Sequence, residues 1–312
     1  MMKVAILGSG SLGLLWGARM QPLFGESLHL LTRTREQAEF LNREGIRFTD
    51  LYGKTEQRVC RARWSERVAD GKIDVLLVMV KQTHLPSVIP VIQKGTHRES
   101  QIIFWQNGWG HQERIAKLAD RPWTYLAVTT EGALKEGPNA ISHTGGGETA
   151  IGLYPPASKQ PHPLFLCWMR MLMEKYGPLI QYDRQILHKI WEKLAVNCVI
   201  NPLTALYQVK NGALLSPEYE GEWKAVLSEV VLVANQEGIS LSYPEINEKV
   251  KSVCEKTAGN LSSMLQDLMR GQKTEVDFIN GAIVRLGQKH RVNTPANSRL
   301  VSLIHEKEKH ML

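Results

Sequence analysis

Lys193, Asn197 and Asn201 are polar residues in a stretch that is otherwise apolar from Leu194 to Leu206. Spaced four apart, they predict a single stripe along a helix. A buried amide left unpaired costs about 1–3 kcal/mol, so such residues persist where something polar meets them. An ammonium group on that stripe could stabilise negative charge developing on an oxygen and hand it a proton. Pro202 directly after Asn201 predicts a helix boundary, and capping of a following helix is the structural alternative for Asn201. For Lys193 the alternative is a solvated surface lysine. A second polar group comprises Asn260, Ser262, Ser263 and Gln266, followed by Thr274-Glu275-Val276-Asp277. Thr274 with Asp277 resembles a helix cap, which makes Glu275 a first-turn carboxylate held ionised by the helix dipole. Plain charge complementarity at a helix start accounts for Glu275 equally well.

The third group is Gly8-Ser9-Gly10-Ser11-Leu12-Gly13. It follows the apolar run Val4-Ala5-Ile6-Leu7 and opens a helical stretch to about Phe24, inside a β-α-β unit, the context that gives GxGxxG its meaning. Gly8 permits the tight turn, Gly10 lets backbone approach a pyrophosphate, and Gly13 allows close packing of helix on strand. A dinucleotide is the expected ligand. At the end of the second strand, where an NAD site places an acid, the chain reads Leu31-Thr32-Arg33-Thr34-Arg35. Arginine suits a 2′-phosphate, so NADP is expected, with Arg33 the first choice for that contact and Arg35 the second.

These groups need elements to carry them. Strands are expected at 3–7, 27–32, 73–80, 101–105, 123–130 and 149–153, alternating with helices at about 11–24, 83–92 and 109–118, with a turn-rich segment at 144–147. After Asp183 the pattern becomes helical, at about 184–201, 217–237, 261–269, 274–289 and 296–309. The expected fold is an α/β Rossmann-type N-terminal domain with a largely parallel sheet over 1–182, then an all-α domain over 183–312.

With 312 residues, 43% hydrophobic and 22% charged, the chain has the composition of an ordinary folded protein. Its four cysteines form no CxxC pair, so neither a disulfide framework nor a metal site is expected. The net charge of +7 is scattered among acids, without a basic block or an interleaved aromatic and basic motif. Nucleic-acid binding is not indicated, and an anionic cofactor and substrate account for the charge. No run reaches signal-peptide or membrane-spanning length, which makes the cytoplasm the expected location.

Together with Val80-Lys81, Gln106-Asn107-Gly108, Trp191 to Ala205, Ser262 to Asp267 and Thr274 to Gly281, the glycine turn resembles the ketopantoate reductase (2-dehydropantoate 2-reductase) family over nearly the whole chain. The resemblance implies NADPH-dependent reduction of 2-dehydropantoate to (R)-pantoate, a step towards pantothenate and coenzyme A, in a cleft between a Rossmann domain and a helical domain. It implies Lys193 as the catalytic proton donor and Glu275 as the active-site glutamate that helps bind substrate and cofactor. Asn197, Asn201, Asn260 and Ser263 are implied to hold the 2-oxo acid substrate. Gly8, Ser9, Gly10, Ser11, Leu12, Gly13, Arg33, Lys81 and Asn107 are implied to hold NADPH. Two positions depart from the pattern: Trp109 stands where a smaller apolar residue is usual, and Glu131 where histidine is frequent. Both lie near the expected nicotinamide side, so they bear on substrate preference. A related reductase of another 2-oxo or imino acid is the alternative, and a non-catalytic NADP-binding regulator a further one. A monomer and a homodimer are both compatible with the sequence.

Overall fold

Val4–Leu7 is apolar at every position and buried at every position, as a central strand of a parallel sheet covered on both faces requires. The computed structural model describes residues 2–118, 120–121, 123–155 and 160–311. Two compact units divide the chain. One comprises Met1–Gln106 with His111–Ile186, the other Asn107–Gly110 with Leu187–Leu312.

The first unit begins β1 (Val4–Leu7), α1 (Ser11–Phe24), β2 (Leu28–Thr32), α2 (Arg35–Glu44), β3 (Ile46–Thr49), β4 (Thr55–Arg58) and β5 (Ala62–Trp64). It continues with β6 (Ile73–Val78), α3 (Leu85–Gly95), β7 (Thr96–Phe104), the short α4 (Gln112–Ile115) and β8 (Thr124–Thr129). It closes with β9 (Gly132–Lys135), β10 (Ala140–Gly145), β11 (Thr149–Tyr154), α5 (Pro163–Tyr176) and β12 (Ile180–Tyr182). The main sheet has the order β12-β11-β8-β7-β6-β1-β2-β5, and only the β8–β11 pairing is antiparallel. Strand order reverses at β1, whose partners are β2 on one side and β6 on the other. The carboxyl ends of β1 and β6 therefore lie side by side at a topological switch point, where doubly wound sheets take their ligands.

A second sheet, β4-β3-β10-β9, packs on α1. The sequence did not announce it, because Thr55–Arg58 is Thr-Glu-Gln-Arg and carries no apolar face. The turn expected at 144–147 starts late, since β10 runs to Gly145 with an irregular register against β9. The helix expected over 109–118 shrinks to α4 and a 3-10 turn at Ala116–Leu118.

The second unit is built from α6 (Ile186–Tyr207), α7 (Pro217–Gln236), α8 (Tyr243–Lys256), α9 (Ser263–Met269), α10 (Asn280–His290) and α11 (Pro295–Met311). Its core joins Trp191, Leu194, Cys198, Val199 and Leu203 of α6 to Trp223, Val226 and Val230 of α7 and to Ile283, Leu300 and Ile304. Here the structure corrects two expectations. The helix does not stop at Asn201; α6 runs through Pro202 to Tyr207. Proline has no N–H to give the carbonyl four residues back, that of Cys198. Asn280 fills the vacancy, its Nδ2 donating to the Cys198 carbonyl at 2.9 Å. Asn280 Nδ2 also donates to Asn297 Oδ1 at 2.9 Å, and Asn297 donates to Glu229 at 2.7 Å. All three side chains are buried, so a buried polar network bridges the break in α6.

The second correction concerns 274–289. A 3-10 turn at Val276–Phe278 precedes α10, and Ile279, with φ −105° and ψ −94°, separates them. Glu275 therefore precedes a three-residue turn and does not sit in the first turn of a long helix. Asp277 does not cap Thr274; its Oδ1 lies 2.9 Å from His305 Nε2.

Candidate functional site

In the first unit, the glycine turn is shaped by contacts a side chain would destroy. A Cβ on Gly13 would fall 1.9 Å from the Gly8 carbonyl oxygen, so α1 can leave β1 this closely only with glycine there. Gly8 has φ +114°, and a Cβ there would come within 2.9 Å of the Met79 carbonyl at the end of β6. Gly10 differs, because nothing lies within 4 Å of where its Cβ would be. That open face lies at the N-terminus of α1, whose first turn has no side-chain cap and no acid. Its N–H groups are the donors a phosphate uses, in the field of a 14-residue helix. The cradle thus fits a dinucleotide pyrophosphate.

Arg33, exposed, follows β2 on the same edge of the sheet. Its carbonyl accepts the Trp64 indole N–H at 3.1 Å, which fixes the turn that presents it. The Arg35 guanidinium pairs with Glu39 at 2.7 Å, whereas Arg33 forms no ion pair among the described residues. His84 feels the same region: partial burial, then the charges of Arg33 and Lys81, lower its pKa. A cation missing from the sequence reading is Lys135 on β9. Its ammonium donates to the Ser9 carbonyl at 2.9 Å, and burial lowers its pKa. Nothing in the sequence places residue 135 beside residue 9; the second sheet does so by packing on α1. Gln106 donates to the carbonyls of Val78 and Val80 at 2.7 and 3.2 Å, tying the end of β7 to the segment that leads to Lys81.

Glu131 is turned inward. Its side chain is 3% exposed, pairs with Arg19 at 2.5 Å and lies 3.4 Å from His143. It is a structural residue between α1 and the second sheet, so its departure from the usual histidine has a packing explanation.

In the second unit, Lys193, Asn197 and Asn201 lie on α6 at the expected spacing, with Lys193 and Asn197 partly exposed and Asn201 buried. Lys193 Nζ donates to Asn107 Oδ1 at 2.7 Å. Burial lowers the Lys193 pKa to about 8, against the opposing pull of the Glu275 charge. Lys193, Asn107 and Glu275 are therefore brought together by one helix, one strip of chain and one turn. The strip is bonded to the turn and lies close against it. Trp109 N–H donates to the Phe278 carbonyl at 2.7 Å, and a Cβ on Gly108 would strike that same oxygen at 2.3 Å. The Trp109 ring rests on Trp191 at 5.4 Å, two residues before Lys193. Asn260 and Ser263 are exposed, the former before α9 and the latter at its first position. Ser262 caps α9 through the Leu265 N–H and accepts the Thr204 hydroxyl at 2.7 Å, which ties the start of α9 to α6.

The described residues contain no group of three or more His, Cys, Asp or Glu that could hold a metal ion, and no helix long and apolar enough to cross a membrane.

The family model "Ketopantoate reductase PanE/ApbA" matches residues 4–156, and its C-terminal counterpart matches 185–308. The chain is 32% identical over 303 residues to 2-dehydropantoate 2-reductase of Vibrio cholerae, covering 97% of each. It is also 32% identical over 313 residues to that of Listeria innocua, covering 99% of this chain and 98% of the other. Among solved structures, a ternary complex of D-mandelate dehydrogenase with NADH and anilino(oxo)acetate superposes with a TM-score of 0.90 at 26% identity, covering 99% of each chain. A glycine cradle at a switch point, a desolvated lysine on a helical unit and two family models spanning most of the sequence lead to one conclusion: the chain belongs to the ketopantoate reductase family of oxidoreductases.

Proposed function

We propose that this protein reduces a 2-oxo acid with NADPH, with 2-dehydropantoate as substrate and (R)-pantoate as product. Residues 1–182 would carry the nucleotide and 183–312 the groups that act on the acid. The observation that carries the reading is the Lys193 ammonium, partly withdrawn from water and hydrogen-bonded to Asn107, with a pKa lowered to about 8. An acid of that strength is protonated at neutral pH yet ready to release its proton to an alkoxide forming beside it. The nicotinamide cofactor supplies the hydride when bound. Gly8, Ser9, Gly10, Ser11, Leu12 and Gly13 would hold its pyrophosphate, Arg33 its 2′-phosphate, and Lys81 and Asn107 its nearer parts. Glu275 keeps Lys193 charged through its own charge and accepts hydrogen bonds. Asn197 and Asn201, with Asn260 and Ser263, would orient the acid.

Trp109 supports a second reading, in which the preferred 2-oxo acid differs from 2-dehydropantoate. The likeness to D-mandelate dehydrogenase, whose own structure carries NADH and an aryl-bearing oxo acid, points the same way. The test is NADPH and NADH oxidation with 2-dehydropantoate and with aliphatic and aromatic 2-oxo acids. Highest kcat/KM on 2-dehydropantoate supports the first reading, and highest on an aromatic acid supports the second. Tight NADPH binding without turnover of any acid leaves a nucleotide-binding regulator.

A further inference from the structure

We propose that Glu308 and His305 of α11 are positioning residues for Glu275, holding from behind the turn that carries it. The inference rests on the role given to Glu275 above. The Glu308 side chain is 9% exposed. Its Oε1 accepts the Thr274 N–H at 2.8 Å. Its Oε2 lies 3.1 Å from His305 Nδ1, and His305 Nε2 lies 2.9 Å from Asp277 Oδ1. Glu308, His305, Asp277 and Thr274 thus close a ring of contacts around the turn. Burial would raise the Glu308 pKa, but the bonds from Thr274 and His305 hold it below the ordinary carboxylate value.

The ring grips residues 274 and 277, one before Glu275 and two after it. The turn has internal bonds as well, Val276 N–H to the Thr274 hydroxyl at 3.2 Å and Phe278 N–H to the Glu275 carbonyl at 2.9 Å. At its far end the Phe278 carbonyl accepts the Trp109 N–H, next to the strip that bears Asn107. α11, the turn, the strip and Lys193 thus form one continuous chain of contacts. Removing the Glu308 carboxylate leaves the Thr274 N–H, on a residue 1% exposed, without its acceptor. The turn then relaxes, and Glu275 moves relative to Lys193.

The test is a double-mutant cycle on the full-length protein, Glu308→Ala with Glu275→Gln, read by kcat, KM and NADPH affinity with thermal melts alongside. Expected is a loss of about 10- to 100-fold in kcat for Glu308→Ala, with NADPH affinity kept. Glu308→Gln, which retains an acceptor for Thr274, recovers most of it. In the Glu275→Gln background Glu308→Ala costs less than about twofold more. A second readout needs no turnover. The titration midpoint of Lys193, followed by the ¹³Cε shift of labelled lysine, falls in Glu308→Ala as in Glu275→Gln, and no further in the double variant. Additive losses, or an unmoved Lys193 midpoint in Glu308→Ala, overturn the proposal. If Glu308→Ala does not fold, His305→Gln takes its place in both arms. Wild-type protein inert towards every 2-oxo acid refutes the proposed function, while the Lys193 titration still decides the positioning role.

Discussion

At the glycine turn the groups offered to a ligand are backbone N–H donors, set in place by three strands and a helix and backed by scattered cations, Arg33, Lys81 and Lys135. Around Lys193 they are single side chains, with the Lys193 ammonium donating to Asn107. The first arrangement spreads its work, so one lost side chain leaves most of it. The second concentrates it, so one lost atom can stop it. The difference follows from the tasks: a long polyanionic nucleotide can be gripped at many points, whereas a proton moves through one.

The comparison is broken most directly at Lys193. Lys193→Ala should lower kcat by about 10²- to 10⁴-fold, the worth of a general acid, while NADPH binding measured by fluorescence stays within about threefold. A loss of binding as large as the loss of turnover would erase the contrast. The next largest effect is expected at Arg33. Arg33→Ala should weaken NADPH by about 10- to 100-fold, as the loss of a charge-assisted contact does, with NADH nearly unchanged. Unchanged discrimination between the two nucleotides would leave the 2′-phosphate to another residue. Activity should also depend on pH with a definite sign. The donor must be protonated, so kcat for reduction should be flat below about 8 and fall above it as Lys193 loses its proton. A profile that rises through pH 8 would make Lys193 a base in this direction. The smallest effect is expected at Lys135. Lys135→Met should weaken ADP-ribose, which carries the pyrophosphate, by about threefold to tenfold and leave adenosine 2′-monophosphate untouched. Equal weakening of both would assign Lys135 to the fold alone.

The same contrast governs what could be read beforehand. The glycine turn is legible because its constraints are local: strand, turn and helix follow within about 20 residues, and Gly13 serves Gly8 five positions away. The Lys193 stripe is legible because helical period places Asn197 and Asn201 on its line. What escaped depends on partners far along the chain. Pro202 suggested a helix end because the residue able to satisfy the Cys198 carbonyl lies 82 positions from that cysteine, at Asn280. Thr274 and Asp277 suggested a cap because the true partners, Glu308 and His305, stand on another helix. The second sheet escaped because its strands are short and β4 has no apolar residue, and with it went the inward turn of Glu131 and the approach of Lys135 to Ser9.

The four residues Asn107–Gly110 leave one unit of the chain, serve in the other and return. The polypeptide therefore crosses between units three times, after 106, after 110 and after 186, so no single scission yields two whole pieces. A helical fragment starting near Asp183 would lack Asn107, and its Lys193 would lose the acceptor seen here. During synthesis, the strip emerges some 80 residues before the helix it completes. The acceptor of the Lys193 ammonium is thus encoded within the first unit's stretch of chain and used in the second.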